Sequence, residues 1–398
     1  MGVLMGRMGW TLVALVLAAC GGAGGTDDVT AADVADALAL DAPDAGAEAI
    51  DAGVDTAPLP VAFEEADLFT AGEGGYLRYR IPALLEVPGG GLLAFAEGRH
   101  SGINDTGDID LVLRRSADDG ATWGPLQVVV DNGVDTAGNP APVVERASGH
   151  VWLPYCTNAA DTPTERRVWL TTSADGGATW GTPVDLTDAV RPPGWEWIAT
   201  GPGRSIQTAG GRVVVPCDHR ETATGLMHSH VMFTDDGTTW AVGGSLGPRT
   251  DEAQVVELAD GSLLLGARDG SDTHRRVFAR STDGGLTWSE QRFADELPDP
   301  GCQGSLLATD RGLVFSNPAS DTVARAHLTV RTSTDGGLTW GTSRELHAGP
   351  SAYSALAPLA DGRLGCLYEA GDVSLLPYDR ITLARFRWDW LEGEGAGR

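Results

Sequence analysis

One octapeptide, Ser-x-Asp-x-Gly-x-Thr-Trp, limits what this chain can fold into more than any other feature. It runs from Ser116 to Trp123, from Ser173 to Trp180, from Ser281 to Trp288 and from Ser333 to Trp340. A frayed copy reads Thr234-Asp-Asp-Gly237-Thr-Thr239-Trp240. The copies recur every ~50–60 residues, the period of a propeller blade. Alternating apolar residues precede each copy (Leu111-Val-Leu-Arg-Arg115, His327-Leu-Thr-Val-Arg331) and a short new run follows, which places the octapeptide at a hairpin turn. Asp and Ser side chains bond backbone amides inside such a turn and Gly takes positive φ. The Trp packs as an anchor between strands. The repeated aspartates are therefore structural. Five copies with an opening and a closing unit predict an all-β, six-bladed β-propeller of four-stranded antiparallel blades over residues 61–390, with 391–398 as a tail. A strand near Val61–Phe69 is expected to complete the last blade beside Ile381–Trp388.

The first twenty residues read as a targeting segment: Arg7, a short apolar core from Trp10 to Leu17, then Leu17-Ala18-Ala19-Cys20. This resembles the lipobox of bacterial lipoproteins, with Cys20 the lipidated first residue of the mature chain. The apolar run is too short to span a bilayer. Residues 21–60 are rich in Ala, Asp and Gly and lack Lys, Arg and aromatic residues, as in a disordered linker. The expected location is the cell envelope, with membrane contact only through the anchor. Cys156, Cys217, Cys302 and Cys366 are too far apart for a metal knuckle and are expected to be buried thiols.

Composition excludes several functions. The net charge of −27 argues against nucleic acid, which needs a basic face. Every basic residue other than His is Arg, so Schiff-base and phosphate-loop lysine chemistry is absent and any anion must be held by guanidinium groups. His228 and His230 share a strand face without a third ligand, and no metal and no cofactor is expected.

The motif Tyr79-Arg80-Ile81-Pro82, followed by the repeated turns, resembles the bacterial and animal sialidases, over about Tyr76 to Trp388. That resemblance implies an exo-α-sialidase acting on terminal sialic acid of glycoconjugates, as a monomer. In that family three arginines hold the substrate carboxylate, and they match Arg80, Arg268 (in Leu265-Gly-Ala-Arg-Asp) and Arg325, with Arg331 a nearby rival for the third. Forked guanidinium groups suit a carboxylate. The family nucleophile matches Tyr353 (in Ser351-Ala-Tyr-Ser354) and its base Glu252 (in Asp251-Glu-Ala-Gln254). A neutral phenol avoids the repulsion that a carboxylate nucleophile would meet from the sugar's own carboxylate, an exception among glycosidases. The general acid falls in Glu97–Asp110, with Asp105 preferred to Asp108. Glu369 matches the glutamate that pairs with the first arginine, and Arg99 and Asn139 match positions beside the ring substituents. Gly201-Pro-Gly203-Arg204-Ser205 puts Ser where the family tends to have Gly, which is expected to reshape the sugar pocket. A trans-sialidase, with Trp195 and Trp197 as an acceptor platform, and a non-catalytic binding propeller remain alternatives.

Overall fold

In a computed structural model, residues 60–393 are described, apart from 163 and 373–375. The targeting segment with Cys20, the linker before residue 60 and residues 394–398 of the tail lie outside the described residues. No described helix is long and apolar enough to cross a membrane.

The strands pair antiparallel almost throughout, in runs of about four. One sheet is Thr250–Glu257, Leu263–Asp269, Arg275–Ser281 and Arg292–Pro298 in chain order. Another runs Trp195–Thr200, Val213–Glu221, Met227–Thr234 and Ala241–Ser245, with Ile206–Gln207 beside its second strand. The strand Ser343–Pro358 is long enough to serve two runs. Its first half pairs with Ala326–Ser333 and its second with Leu364–Ala370. Four-stranded antiparallel sheets of this kind are propeller units. The first described strand, Phe63–Thr70, pairs with Arg380–Phe386, so residues from the two ends of the described region share one sheet. Trp388, expected to extend that last strand, instead opens a short helix, Trp388–Leu391.

The octapeptides are turns with one internal circuit. Asp175 accepts from Thr179 N (2.8 Å) and Thr179 Oγ1 (2.6 Å), while Ser173 Oγ accepts from Gly177 N (2.8 Å) and donates to Asp175 (2.8 Å). The shorter copy keeps the circuit, with Asp236 serving Thr238, Thr239 and Thr234. The second glycine has φ of +81° at Gly177 and +84° at Gly337. A Cβ there would lie 3.2 Å from Leu93 and Leu113 in the first case and 2.8 Å from Leu264 in the second. Glycine is thus needed twice over, for the backbone and for the close approach of the turn to a preceding hairpin. Each tryptophan fills the gap: Trp340 lies 5.6 Å from the rings of both Phe278 and Phe315, and Trp180 meets Phe95 edge-on. The four described cysteines are buried free thiols within these cores.

Trp340→Ala is expected to lower the unfolding free energy by roughly 3–5 kcal/mol in a urea titration, because the ring is almost fully enclosed. Hydrogen bonds within the turns hold Asp118, Asp175, Asp283 and Asp335 down at about 2. Their folded values lie below the unfolded one, so the stability they confer is present above the ordinary carboxylate value near 3.8 and is lost as pH falls through about 2. Acid titration of the folded domain should show that loss.

Candidate active site

Strands from three separate sheets deliver the candidate side chains near their starts: Arg80 in Arg78–Val87, Glu252 in Thr250–Glu257, Tyr353 in the second half of Ser343–Pro358. Glu252 and Tyr353 line a cavity of about 400 Å³ with Arg99, Asp105, Asn139 and Arg268, among others, while Arg80 and Arg325 face the Tyr353 ring without lining the cavity.

Glu369 is the fixed point. Fully buried, it accepts the backbone N–H of Ile81 (2.8 Å) and of Tyr353 (3.1 Å), and it pairs with Arg80 Nε (3.2 Å). Ile81 has φ of +56°, uncommon for a β-branched residue, and the strand register slips between Arg80 and Ala83. That slip accompanies an Ile81 amide aimed at Glu369 and an Arg80 side chain set between Glu369 and the Tyr353 ring. The Arg80 guanidinium lies 4.2 Å from the ring centre of Tyr378 and 5.1 Å from that of Tyr353.

Tyr353 donates its hydroxyl to Glu252 Oε1 at 2.5 Å, and Glu252 Oε2 accepts Arg268 Nη1 at 3.0 Å. Burial and the Glu252 charge push the phenol well above its ordinary value, against the pull of Arg268, Arg80 and Arg325. Tyr353 is therefore a neutral phenol at neutral pH, with its proton already aimed at a carboxylate. Arg325 faces the same ring at 5.7 Å and bonds Tyr378 and the Gly301 carbonyl. Arg331 points elsewhere, to Asn317 Oδ1. Three guanidinium groups thus surround Tyr353.

Asp105 and Asp108 part company. Asp105, with 68% of its side chain exposed, caps Arg99 Nη2 at 2.9 Å and Arg80 Nη1 at 3.3 Å. Burial opposes its charge, but Arg99 and Arg80 outweigh that and hold its carboxyl below the usual range. Asp108 lies 3.7 Å from His100, which also contacts Asp110 at 3.3 Å. Among the described residues, His100, Asp108 and Asp110 are the group whose ligand atoms come within 4.8 Å of one another. Their mutual contacts and the Tyr76 hydroxyl on Asp110 already account for that cluster. Arg99 is held by Glu97, which also accepts the Asn139 amide. Asn139 spends its side chain on the Thr200 carbonyl and Arg166.

Two lining residues, Arg166 and Asp218, were not singled out from sequence, and both meet Trp197. Arg166 lies 4.0 Å over the Trp197 ring, and Trp197 Nε1 donates to Asp218 at 3.1 Å. Burial, with Asp251 and Glu252 adding, pushes Asp218 well above its ordinary value and favours its neutral form. No local motif marks these residues; only the pairing of distant strands brings them together. Two expectations change. Ser205 does not line this cavity: its hydroxyl donates to the Ala141 carbonyl, away from it. His228 and His230 do gain a third histidine, because His219 pairs across the strands, 3.1 Å from His230. Burial lowers His219 to about 3 and His230 well below its ordinary value, so these two pack as neutral rings against Trp195.

This geometry can be set beside known proteins. Residues 90–366 match the BNR repeat-like domain. The chain is 35% identical to the sialidase of Micromonospora viridifaciens across 85% of this chain and 56% of that protein. It is 33% identical to the exo-alpha-sialidase of Aspergillus fumigatus across 80% of this chain and 86% of that one. A Hadza microbial sialidase shares its fold with a TM-score of 0.75 and 28% identity, over 82% of this chain and 69% of that chain. A propeller carrying BNR-type turns and an arginine-ringed cavity is the class that fold and cavity define. Within that class, the chain belongs to the sialidase family.

Glu369→Ala is expected to cost roughly 3–5 kcal/mol in denaturant-measured stability, since it leaves Arg80 and two amides without their buried partner.

Proposed function

We propose that this chain is an exo-α-sialidase that releases terminal α-linked sialic acid with retention, through a covalent sialyl-tyrosine at Tyr353. The observation that carries the reading is the 2.5 Å contact from the Tyr353 hydroxyl to Glu252 inside a ring of three arginines. Sialic acid has its carboxylate on the anomeric carbon, so the group that binds Arg80, Arg268 and Arg325 sets that carbon beside the phenol. Glu252 takes the phenol proton as the Tyr353 oxygen bonds the anomeric carbon, and Asp105 protonates the departing glycosidic oxygen. In the second half Asp105 takes a proton from water, the water oxygen bonds the anomeric carbon as the tyrosyl bond breaks, and Glu252 returns its proton to Tyr353.

Asp105 is ionised in the free protein because it caps Arg80 and Arg99. A substrate carboxylate arriving at Arg80 competes for that partner and adds a like charge, which raises Asp105 toward an acid able to donate. Arg99 positions it, and Glu369 positions Arg80. Arg99 and Asn139 border the ring substituents. Trp195 is stacked on His219, and Trp197, with Arg166 over its ring, lines the cavity. The same reading takes sialylated glycoconjugates as substrates, six blades as the architecture, a monomer as the working unit, and Cys20 as a lipid anchor at the bacterial envelope.

Tyr353→Phe should reduce release from 4-methylumbelliferyl-N-acetylneuraminic acid by at least about 10³-fold while binding survives. Wild-type turnover by that variant, or no release by the wild type, would overturn the reading. Asp105→Asn should lose on the order of 10²–10⁴-fold on sialyllactose and markedly less on the umbelliferyl sialoside, whose leaving group needs less protonation. Calorimetric titration with a sialic-acid-like inhibitor, repeated in buffers of different ionisation enthalpy, should register proton uptake in the wild type. Asp105→Asn should abolish that uptake.

A further inference from the structure

The inner strands that carry Arg80, Glu252 and Tyr353 at one end also line a second cavity at the other, of about 310 Å³. Leu85 and Glu86, Val256 and Glu257, and Pro358 border it, four to six residues beyond the catalytic candidates on the same strands. At the rise of an extended strand, that separation is about 16 Å. Arg204, the residue after the Gly201-Pro-Gly203 turn, lines this second cavity.

Arg204 differs from the other arginines placed so far. Its Nε and Nη1 are sealed from solvent and have no hydrogen-bond acceptor, and it makes no ion pair among the described residues. Burial pulls its guanidinium below its ordinary value, with Glu86 opposing. Guanidinium N–H groups left without acceptors are costly, and natural structures place acceptors on them. The other charged groups on the wall do not supply one. Arg146 is spent on the Gln207 and Thr208 carbonyls, and Glu257 accepts the Ala209 amide. Glu86 is the remaining carboxylate; burial pushes it upward with Arg204 opposing, and its oxygens keep lone pairs able to accept a hydroxyl proton.

We propose that this far-end cavity is a binding site for a small oxyanion, held by the Arg204 guanidinium, with Glu86 favouring an anion that carries its own hydroxyl. Hydrogen phosphate has the right chemistry: oxygens to accept from Arg204 and an O–H to share with Glu86. Sulfate offers acceptors alone. The site is separate from the arginine ring around Tyr353 and does not depend on what that ring binds.

The test is calorimetric titration of the folded domain with inorganic phosphate at constant ionic strength, on the wild type and on Arg204→Met, Arg204→Lys and Arg268→Met. One phosphate should bind the wild type and Arg268→Met, binding should fall at least about tenfold in Arg204→Met, and Arg204→Lys should retain part of it. Thermal unfolding should rise by roughly 2–5 °C in saturating phosphate for the wild type, beyond the general salting-out rise that Arg204→Met still shows. Turnover of the umbelliferyl sialoside should be the same in Arg204→Met as in the wild type. Equal phosphate binding by wild type and Arg204→Met, or a site lost in Arg268→Met instead, would overturn the proposal. Sulfate binding as tight as phosphate would overturn the part assigned to Glu86.

Discussion

A single buried carboxylate, Glu369, holds the site together. It accepts amides from two different inner strands, at Ile81 and Tyr353, and pairs with the Arg80 side chain. A fully buried charge is tolerated only where its lone pairs are filled, and here protein donors fill them. Once Glu369 is fixed, Arg80 is aimed across the ring of Tyr353, and the phenol reaches Glu252. Arg268 then closes the chain by pairing with Glu252. Tyr353, Glu252 and Arg268 come from three strands, with Tyr353 about a hundred residues beyond Glu252, and Glu369 pins the backbone from which the phenol reaches across.

The fold was legible in the sequence because its turns repeat. Ser, Asp, Gly, Thr and Trp at fixed offsets each do one local job, and the structure shows those jobs as hydrogen bonds within eight residues. Much of the candidate site was legible for a different reason: Arg80, Glu252, Arg268, Tyr353 and Glu369 sit in short strings whose order along the chain resembles one family. Arg166, Trp197, Asp218 and Tyr378 sit in no such string. They become neighbours only through strand pairing and the close approach of sheets, as when Arg166 lies over Trp197. Ser205 misled for the same reason. A residue two positions from a glycine turn was expected in the sugar pocket, but its hydroxyl is turned to the Ala141 carbonyl.

The all-arginine composition takes on meaning in this setting. Guanidinium groups stay charged under burial, so three of them can surround one phenol without discharging, at the cost of mutual repulsion. Tyr378, lying under Arg80 and bonded to Arg325, softens that repulsion with a ring face and a hydroxyl. Asp105 does so with a charge, and it is the exposed member of the group. The part of the site that neutralises the arginines before substrate arrives is therefore also the part best placed to move.

The pairing of Phe63–Thr70 with Arg380–Phe386 orders events in time. The last sheet needs a strand from the beginning of the domain and others from its end, so it is complete only when more than 300 intervening residues have been made and delivered. Glu369 lies in that late-finishing sheet, on Leu364–Ala370. A chain cut short before that sheet would hold its repeated turns and several finished sheets yet lack the carboxylate that assembles the arginines. Competence for catalysis would arrive abruptly, with the final residues.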